Sequence, residues 1–235
     1  MLKKVSFSRH VEKDWLDQTA LWCTDNLDKK EIVTKINTML TPWITCKINL
    51  GKTRNQLTSI WIDIPGNIPS RFQKFACDKV RGSSDIPLAI HWGLLIAKKK
   101  FFAEVARFIG RTTKLNCSFT YAQVQKRMVE LYGDTETVKR HLRSVLKTLV
   151  EFGVVIRSSS RSYQVADRKL VVNSDLKNWL LYSLLISEEV MSRSLPDIID
   201  DAIWFPFDFN VQANEIEQSW FELHQQGNDL VIFRK

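Results

Sequence analysis

Glycine is scarce in this chain, eight residues in 235, and none is arranged as a dinucleotide-binding loop. The nearest approach to a phosphate cradle, Gly51-Lys52-Thr53, ends like a P-loop but has Cys46 and Lys47 where the upstream glycine belongs. Lys52 and Arg54 are therefore read as a helix N-terminal region facing solvent or a phosphate backbone. The four cysteines, Cys23, Cys46, Cys77 and Cys117, lie far apart without a C-x-x-C, and the four histidines, His10, His91, His141 and His224, have no metal-ligand spacing. No disulfide framework or metal site is expected, and the thiols are read as reduced and mostly buried. Pro196-Asp197 begins like a nuclease motif, yet no acidic-x-Lys triplet follows it. Asp197, Asp200 and Asp201 then read as an acidic patch at a helix end, with no carboxylate cluster for Mg²⁺. With no nucleophile paired to a base, the chain is expected to be non-catalytic and to carry no cofactor. Long apolar runs are missing too: the longest, Trp179 to Ile186, is broken by Tyr182 and Ser183 and is too short to cross a bilayer. The amino terminus is polar without a signal-peptide core, so a cytoplasmic location with no membrane partner is expected.

What the chain does have is apolar mass and uneven charge. Hydrophobic residues make up 44% and charged residues 26%, with eight tryptophans, which places it among globular proteins with substantial buried aromatic surface. The net charge of +8 is concentrated. Residues 1–90 carry 14 Lys+Arg against 9 Asp+Glu, residues 91–170 carry 16 against 6, and residues 171–235 carry 4 against 11. A field centred on the middle third attracts polyanions. The acidic last third is expected to lie away from DNA, to meet a basic partner, or to compete for the basic face.

Residues 120–165 carry the most specific pattern. Thr120 and Gln123 have capping-box spacing at the start of a helix expected over Tyr121 to Tyr132, and Gly133-Asp134 supplies turn chemistry before a second helix from Thr135. In that helix Val138, Leu142, Val145, Leu146, Leu149 and Val150 form one apolar stripe, while Lys139, Arg140, Arg143 and Lys147 fall on the other side. His141 is expected on the polar face. Gly153 stops the helix, Val154 to Ile156 reads as a strand, Ser158 to Ser160 as a polar tip flanked by Arg157 and Arg161, and Tyr163 to Val165 as the returning strand. This order points to a winged helix-turn-helix.

The expected fold is mainly α: a helical domain over 1–90, a winged helix-turn-helix over 91–170, and a small acidic α+β element over 171–235. Helices are expected at Val11 to Trp22, from an Asp28/Glu31 cap through Leu40, at Thr53 to Trp61 after a break over Thr45 to Gly51, and at Pro69 to Val80. Ala89 to Ala106 reads as a central helix, with Lys98-Lys99-Lys100 marking a bend or a junction of two helices. Phe101 to Leu115 is then the first helix of the winged unit. Beyond it, Ser174 to Ile186 and Ser187 to Ser194 read as helix, Ile203 to Val211 as an edge strand containing Pro206, and Asn214 to Trp220 as helix or strand. Phe221 to His224 and Leu230 to Phe233 read as a hairpin about Gly227-Asn228.

The helical segments around Lys29 to Leu40 and Lys52 to Trp61, Phe101-Phe102-x-Glu104-Val105, Thr120, Thr137 and Leu146-x-x-Leu149-x-x-x-Gly153-Val154 resemble the BrxA family over residues 28–156. Those proteins are small DNA-binding components of bacterial BREX phage-defence systems. The resemblance implies a non-catalytic subunit that binds double-stranded DNA and other proteins of its operon, and it supplies no catalytic residue. The residues alone lead to a duplex-binding accessory protein whose contacts are Thr137, Lys139, Arg140, Arg143 and Lys147 on the helix, Arg157 and Arg161 on the wing, and Lys52 and Arg54. A sequence-specific regulator and a winged-helix protein-protein scaffold are the alternatives.

Overall fold

A computed structural model describes residues 5–235 apart from Asn26, Cys117, Ser160, Arg168 and Asn228. The burial expected of Cys117, the end of the polar tip at Ser160, and Asn228 in the hairpin turn therefore lie outside the described residues. The chain is mainly helical with small sheets.

The first four helices are α1 (Lys13–Thr24), α2 (Lys29–Leu40), α3 (Lys47–Trp61) and α4 (Ser70–Val80). Both halves of the Asp28/Glu31 capping box form at α2. Helix α1 starts later than its apolar pattern suggests, because the Val11 amide donates to Thr148 Oγ1 at 2.9 Å and holds the preceding segment extended. Helix α3 starts earlier. The expected break over Thr45 to Gly51 is largely helix, with Cys46 at the cap and the Leu50 amide bonded to the Cys46 carbonyl at 2.9 Å. An internal glycine costs only about 1 kcal/mol, and the buried Leu57, Ile60 and Trp61 outweigh it. Lys52 and Arg54 thus sit inside the helix rather than at its N-terminus.

Helices α5 (Leu88–Lys98) and α6 (Lys100–Leu115) meet at the lysine run, which is a junction. Its first two lysines face inward. Lys98 Nζ donates to the carbonyls of Ile60 and Asp63 and to Gln73 Oε1, at 2.6, 2.8 and 2.6 Å, and Lys99 Nζ donates to Ser59 Oγ at 2.6 Å. Burial pulls both ammonium groups down to a pKa of about 8.

There follow β1 (Ser118–Thr120), α7 (Tyr121–Tyr132), α8 (Glu136–Glu151), β2 (Val155–Arg157) and β3 (Ser162–Val165). The three strands form an antiparallel sheet in the order β1-β3-β2, with Phe119 opposite Tyr163 and Arg157 also opposite Tyr163 on the other side. Strand β1 had no expectation attached to it. Three residues between a helix and a capping box are too few to carry a period-two pattern.

The last third holds β4 (Leu170–Val171), α9 (Ser174–Glu188), β5 (Ser192–Ser194), α10 (Leu195–Ile199), β6 (Phe207–Asp208), β7 (Phe221–Gln226) and β8 (Asp229–Arg234). The hairpin forms as β7 and β8. Ser187 to Ser194, expected as helix, is not one: α9 ends at Glu188, Glu189 turns left-handed at φ 60°, and β5 joins β8 antiparallel. The available edge of β8 outcompetes helix continuation. Of Ile203 to Val211 only Phe207 and Asp208 pair, parallel to β4, after a 3₁₀ turn at Ala202–Trp204. Asn214 to Trp220 is neither helix nor strand throughout, but a 3₁₀ turn at Ala213–Glu215 followed by a turn into β7.

A continuous apolar core extends from Phe7 to Ile232. Two glycines set its tightest contacts. A Cβ on Gly93 would lie 2.2 Å from Trp179 Cζ3, and one on Gly110 would lie 1.9 Å from the Ala202 carbonyl oxygen. The Trp179 ring cannot retreat, being stacked on Phe72 at 4.7 Å with its indole N–H donated to the Phe72 carbonyl at 3.0 Å. Gly93→Ala and Gly110→Ala are each expected to cost about 1–3 kcal/mol or more through overpacking. Urea unfolding of each variant measures this, with Gly66→Ala, whose Cβ meets nothing within 4 Å, as the control.

Candidate nucleic-acid interface

Helix α8 is positioned at both ends by its own sequence. Gly133 takes φ 89°, Thr135 caps the helix by accepting the Val138 amide at 3.2 Å, and Gly153 at φ 68° lets the chain turn into β2. Val138, Leu142, Val145, Leu146 and Leu149 are buried, and Val150 is half-buried. Helix α7 is fixed by the reciprocal Thr120/Gln123 box and packs against α6 and α8.

Thr137, Arg140, Arg143 and Lys147 are exposed on the opposite face of α8. Lys139 is not part of that free face. Its ammonium is 2.9 Å from Asp134 Oδ1 and 3.3 Å from Glu136 Oε1, and those carboxylates raise its pKa while cancelling its charge locally. His141, expected on the polar face, is buried, and its ring meets Phe101 edge-on at 6.4 Å. The apolar stripe of α8 is wide enough to include it because the N-terminal segment covers this side: Thr148, also buried, receives the Val11 amide.

Burial, followed by the charges of Arg140, Arg9 and Lys52, pulls the His141 pKa down to about 4. Arg9 and Lys52 thus bear electrostatically on His141 of α8. His10 is likewise held at about 4 by burial and then by Lys147 and Arg9. Arg9 had not been singled out from the sequence, because its neighbourhood depends on the Val11–Thr148 contact, which spans most of the chain. Arg54 is turned about 200° around α3 from Lys52 and bonds Asn55 Oδ1 at 3.1 Å through two nitrogens. Its hydrogen-bond partner is thus a neighbour on its own helix.

The β2–β3 ribbon is tied at its turn by Ser159. Its Oγ accepts the amides of Arg161 and Ser162 at 3.3 and 3.1 Å, and its carbonyl accepts from Arg157 Nε at 3.2 Å. Between the ribbon, α8 and the start of α7 lies an open cleft of about 650 Å³, lined by Tyr121, Arg143, Arg157, Arg161 and Tyr163 together with Thr120 and Ala122. A neighbouring hollow of about 350 Å³ extends it along α8 to Lys147 and Glu151. Four of the nine residues singled out from the sequence, Arg143, Lys147, Arg157 and Arg161, thus share one concave surface. Thr137 and Arg140 continue along α8, Lys52 bears on it through the charge felt at His141, and Arg54 bonds within α3. The two tyrosines are additions of the structure. The sequence signal available was the placing of Tyr163 across from Arg157, visible only once the strand register is set.

No family model matches the chain, and neither a curated protein nor a solved structure matches it. The chemistry of the surface therefore carries the functional reading.

The acidic last third is engaged elsewhere. Asp201 is buried and accepts from Arg107 Nε at 3.0 Å, Arg193 at 2.9 Å and the Ile203 amide at 3.0 Å. Burial alone would raise its pKa, but Arg107 and these donors hold it below the usual carboxylate range. Glu188 pairs with the same two arginines, Lys114 holds Asp200 at 2.8 Å, and Lys79 pairs with Asp175. The expected acidic patch is thus broken up: Asp201 is internal and Asp200 is paired. Among the described residues no group of three or more His, Cys, Asp or Glu is placed to hold a metal ion. Nor, among them, is any helix long and apolar enough to cross a membrane. Cys23 and Cys77 are partly buried free thiols, whereas Cys46 is exposed, contrary to the expectation of mostly buried cysteines, because it caps α3 at the surface.

His141 makes a pH prediction. Its folded pKa lies below the unfolded value of 6.5, so the unfolded chain binds more protons between those values. Stability should be full above the unfolded pKa and fall as pH drops towards about 4. Lowering the pH from about 7 to about 5 should cost on the order of 1–2 kcal/mol through His141. His141→Leu should flatten this share of the dependence, read as the urea midpoint at each pH.

Proposed function

We propose that α6 to β3 form a winged helix-turn-helix that binds double-stranded DNA, with α8 as the recognition helix and the β2–β3 ribbon as the wing. The observation that carries this reading is the gathering of Arg143 from α8 and Arg157 and Arg161 from the ribbon around one open cleft. Arg140 and Lys147 extend the same charge along α8. The strand order β1-β3-β2, framing two capped helices joined by a tight turn, supports the fold assignment.

In this arrangement α8 enters the major groove and the wing arginines hold the adjacent backbone. Phosphate contacts dominate, because the exposed face of α8 offers Lys, Arg, Ser and Thr but no Asn or Gln for adenine readout. Sequence preference is correspondingly low. Asp175, Glu188, Asp200 and Asp201 of the acidic third are paired with Lys79, Arg107, Arg193 and Lys114 rather than with the basic side chains of α8. On the resemblance to the BrxA family, we further propose that the protein acts in a bacterial anti-phage defence system as a cytoplasmic, non-catalytic component alongside other proteins of its operon.

Fluorescence anisotropy on two unrelated duplexes tests the reading. With about four to six phosphate contacts, log K should fall against log salt with a slope of about −4 to −5. Arg140→Glu with Arg143→Glu, and Arg157→Glu with Arg161→Glu, should each lower affinity at least about tenfold while circular dichroism stays unchanged. Lys139→Ala should change it less than about twofold, its charge being already neutralised by Asp134 and Glu136. A slope near zero, or full binding by both folded double variants, would refute this surface.

A further inference from the structure

A paired duplex does not account for everything in the cleft. Its phosphates suit the three guanidinium groups, but its bases are stacked on one another and present no free ring face to a protein outside the groove. The cleft nevertheless has aromatic walls. Tyr163 is half-buried, lies nearly parallel to the buried Phe119 at 5.5 Å with 15° between the rings, and lines the cleft. Tyr121 forms another part of the wall and is held in place by its hydroxyl, which donates to the Lys139 carbonyl at 3.3 Å. At about 650 Å³ the space is within the range of small-molecule sites and far too small for a double helix. Its lining contains no carboxylate.

We propose that this cleft takes one unpaired nucleotide, with the base stacked on Tyr163 and its phosphate among Arg143, Arg157 and Arg161. A flat π surface beside a dianionic or monoanionic phosphate is the ligand that two rings and three guanidinium groups complement. The Phe119–Tyr163 pair is already assembled, so the wall needs no reordering to receive a base. The proposal rests on the duplex-binding reading and adds to it a preference for DNA with an unpaired position: an overhang, a bulge or an extruded base. A free nucleotide presents the same chemistry, and the test separates the two sources.

The full chain is titrated by fluorescence anisotropy against a blunt duplex, the same duplex with a three-nucleotide overhang, and the same duplex with a central bulge, with 2-aminopurine at the unpaired position in a parallel set. Unpaired substrates should bind about tenfold more tightly than the blunt duplex, and 2-aminopurine emission should be quenched on binding. Tyr163→Leu should abolish the preference, read as the ratio of overhang to blunt-duplex affinity, whereas Tyr163→Phe should retain it because stacking needs only the ring. If Tyr163→Leu does not fold, the wild-type preference and quenching decide. Displacement of the overhang duplex by dAMP would support the same cleft with free nucleotide as its source. Equal affinity for all three duplexes without quenching or dAMP displacement would overturn the proposal, as would a preference that survives in folded Tyr163→Leu. In that event salt-dependent binding of the blunt duplex leaves the duplex reading standing, and no binding to any duplex removes both.

Discussion

Helix α5 has no solvent face, and the rest of the molecule is arranged to keep it that way. Every residue from Leu88 to Ala97 is buried. A helix apolar all round is stable in water only when neighbours enclose it. Here α3, α6 and α9 do so. The closest of these contacts is with α9, where the absence of a side chain at Gly93 lets the Trp179 ring lie against the α5 backbone. Because α6 continues from α5 through the buried Lys98–Lys99 joint and also carries α7 and α8, the basic helix is held in a set position relative to the N-terminal helices.

Charge is sorted by the same packing. The last third is acidic, yet Asp175, Glu188, Asp200 and Asp201 are drawn to Arg107, Arg193, Lys114 and Lys79 on the side where it docks on α6 and α4. A buried ion pair recovers its desolvation cost only with good geometry and further hydrogen bonds. Asp201 has both, accepting from two arginines and from the Ile203 amide. Arg140, Arg143 and Lys147 on α8 take no part in this network. Lys139 on the same helix is paired locally, since the turn that starts the helix also supplies Asp134 beside it.

Local chemistry made much of the middle of the chain legible. Thr120 with Gln123, Asp28 with Glu31, Gly133 and Gly153 act within a few residues of themselves, so their caps and turns can be read from one stretch of sequence. Amphipathic spacing likewise identified the buried stripe of α8 and the exposed Arg140, Arg143 and Lys147. It failed for His141, because the burial of that residue depends on a segment over a hundred positions away. It failed also for Ser187 to Ser194, where helical propensity lost to pairing with β8, and for the start of α3, where packing carried the helix through Thr45 to Gly51.

By itself, then, the sequence determined the helical character of the chain, the two capped helices with their basic outer face, the hairpin at the end, and the concentration of positive charge in the middle third. These depend on periodicity, capping and composition, which act over short separations. Tertiary structure alone decided that Lys139 is paired with Asp134 and Glu136, that Arg143, Arg157 and Arg161 meet around one cleft with Tyr121 and Tyr163, and that Arg9 and Lys52 bear on the buried His141. Those outcomes require strand register, helix docking and ion-pair competition between distant segments, and no short-range pattern encodes them.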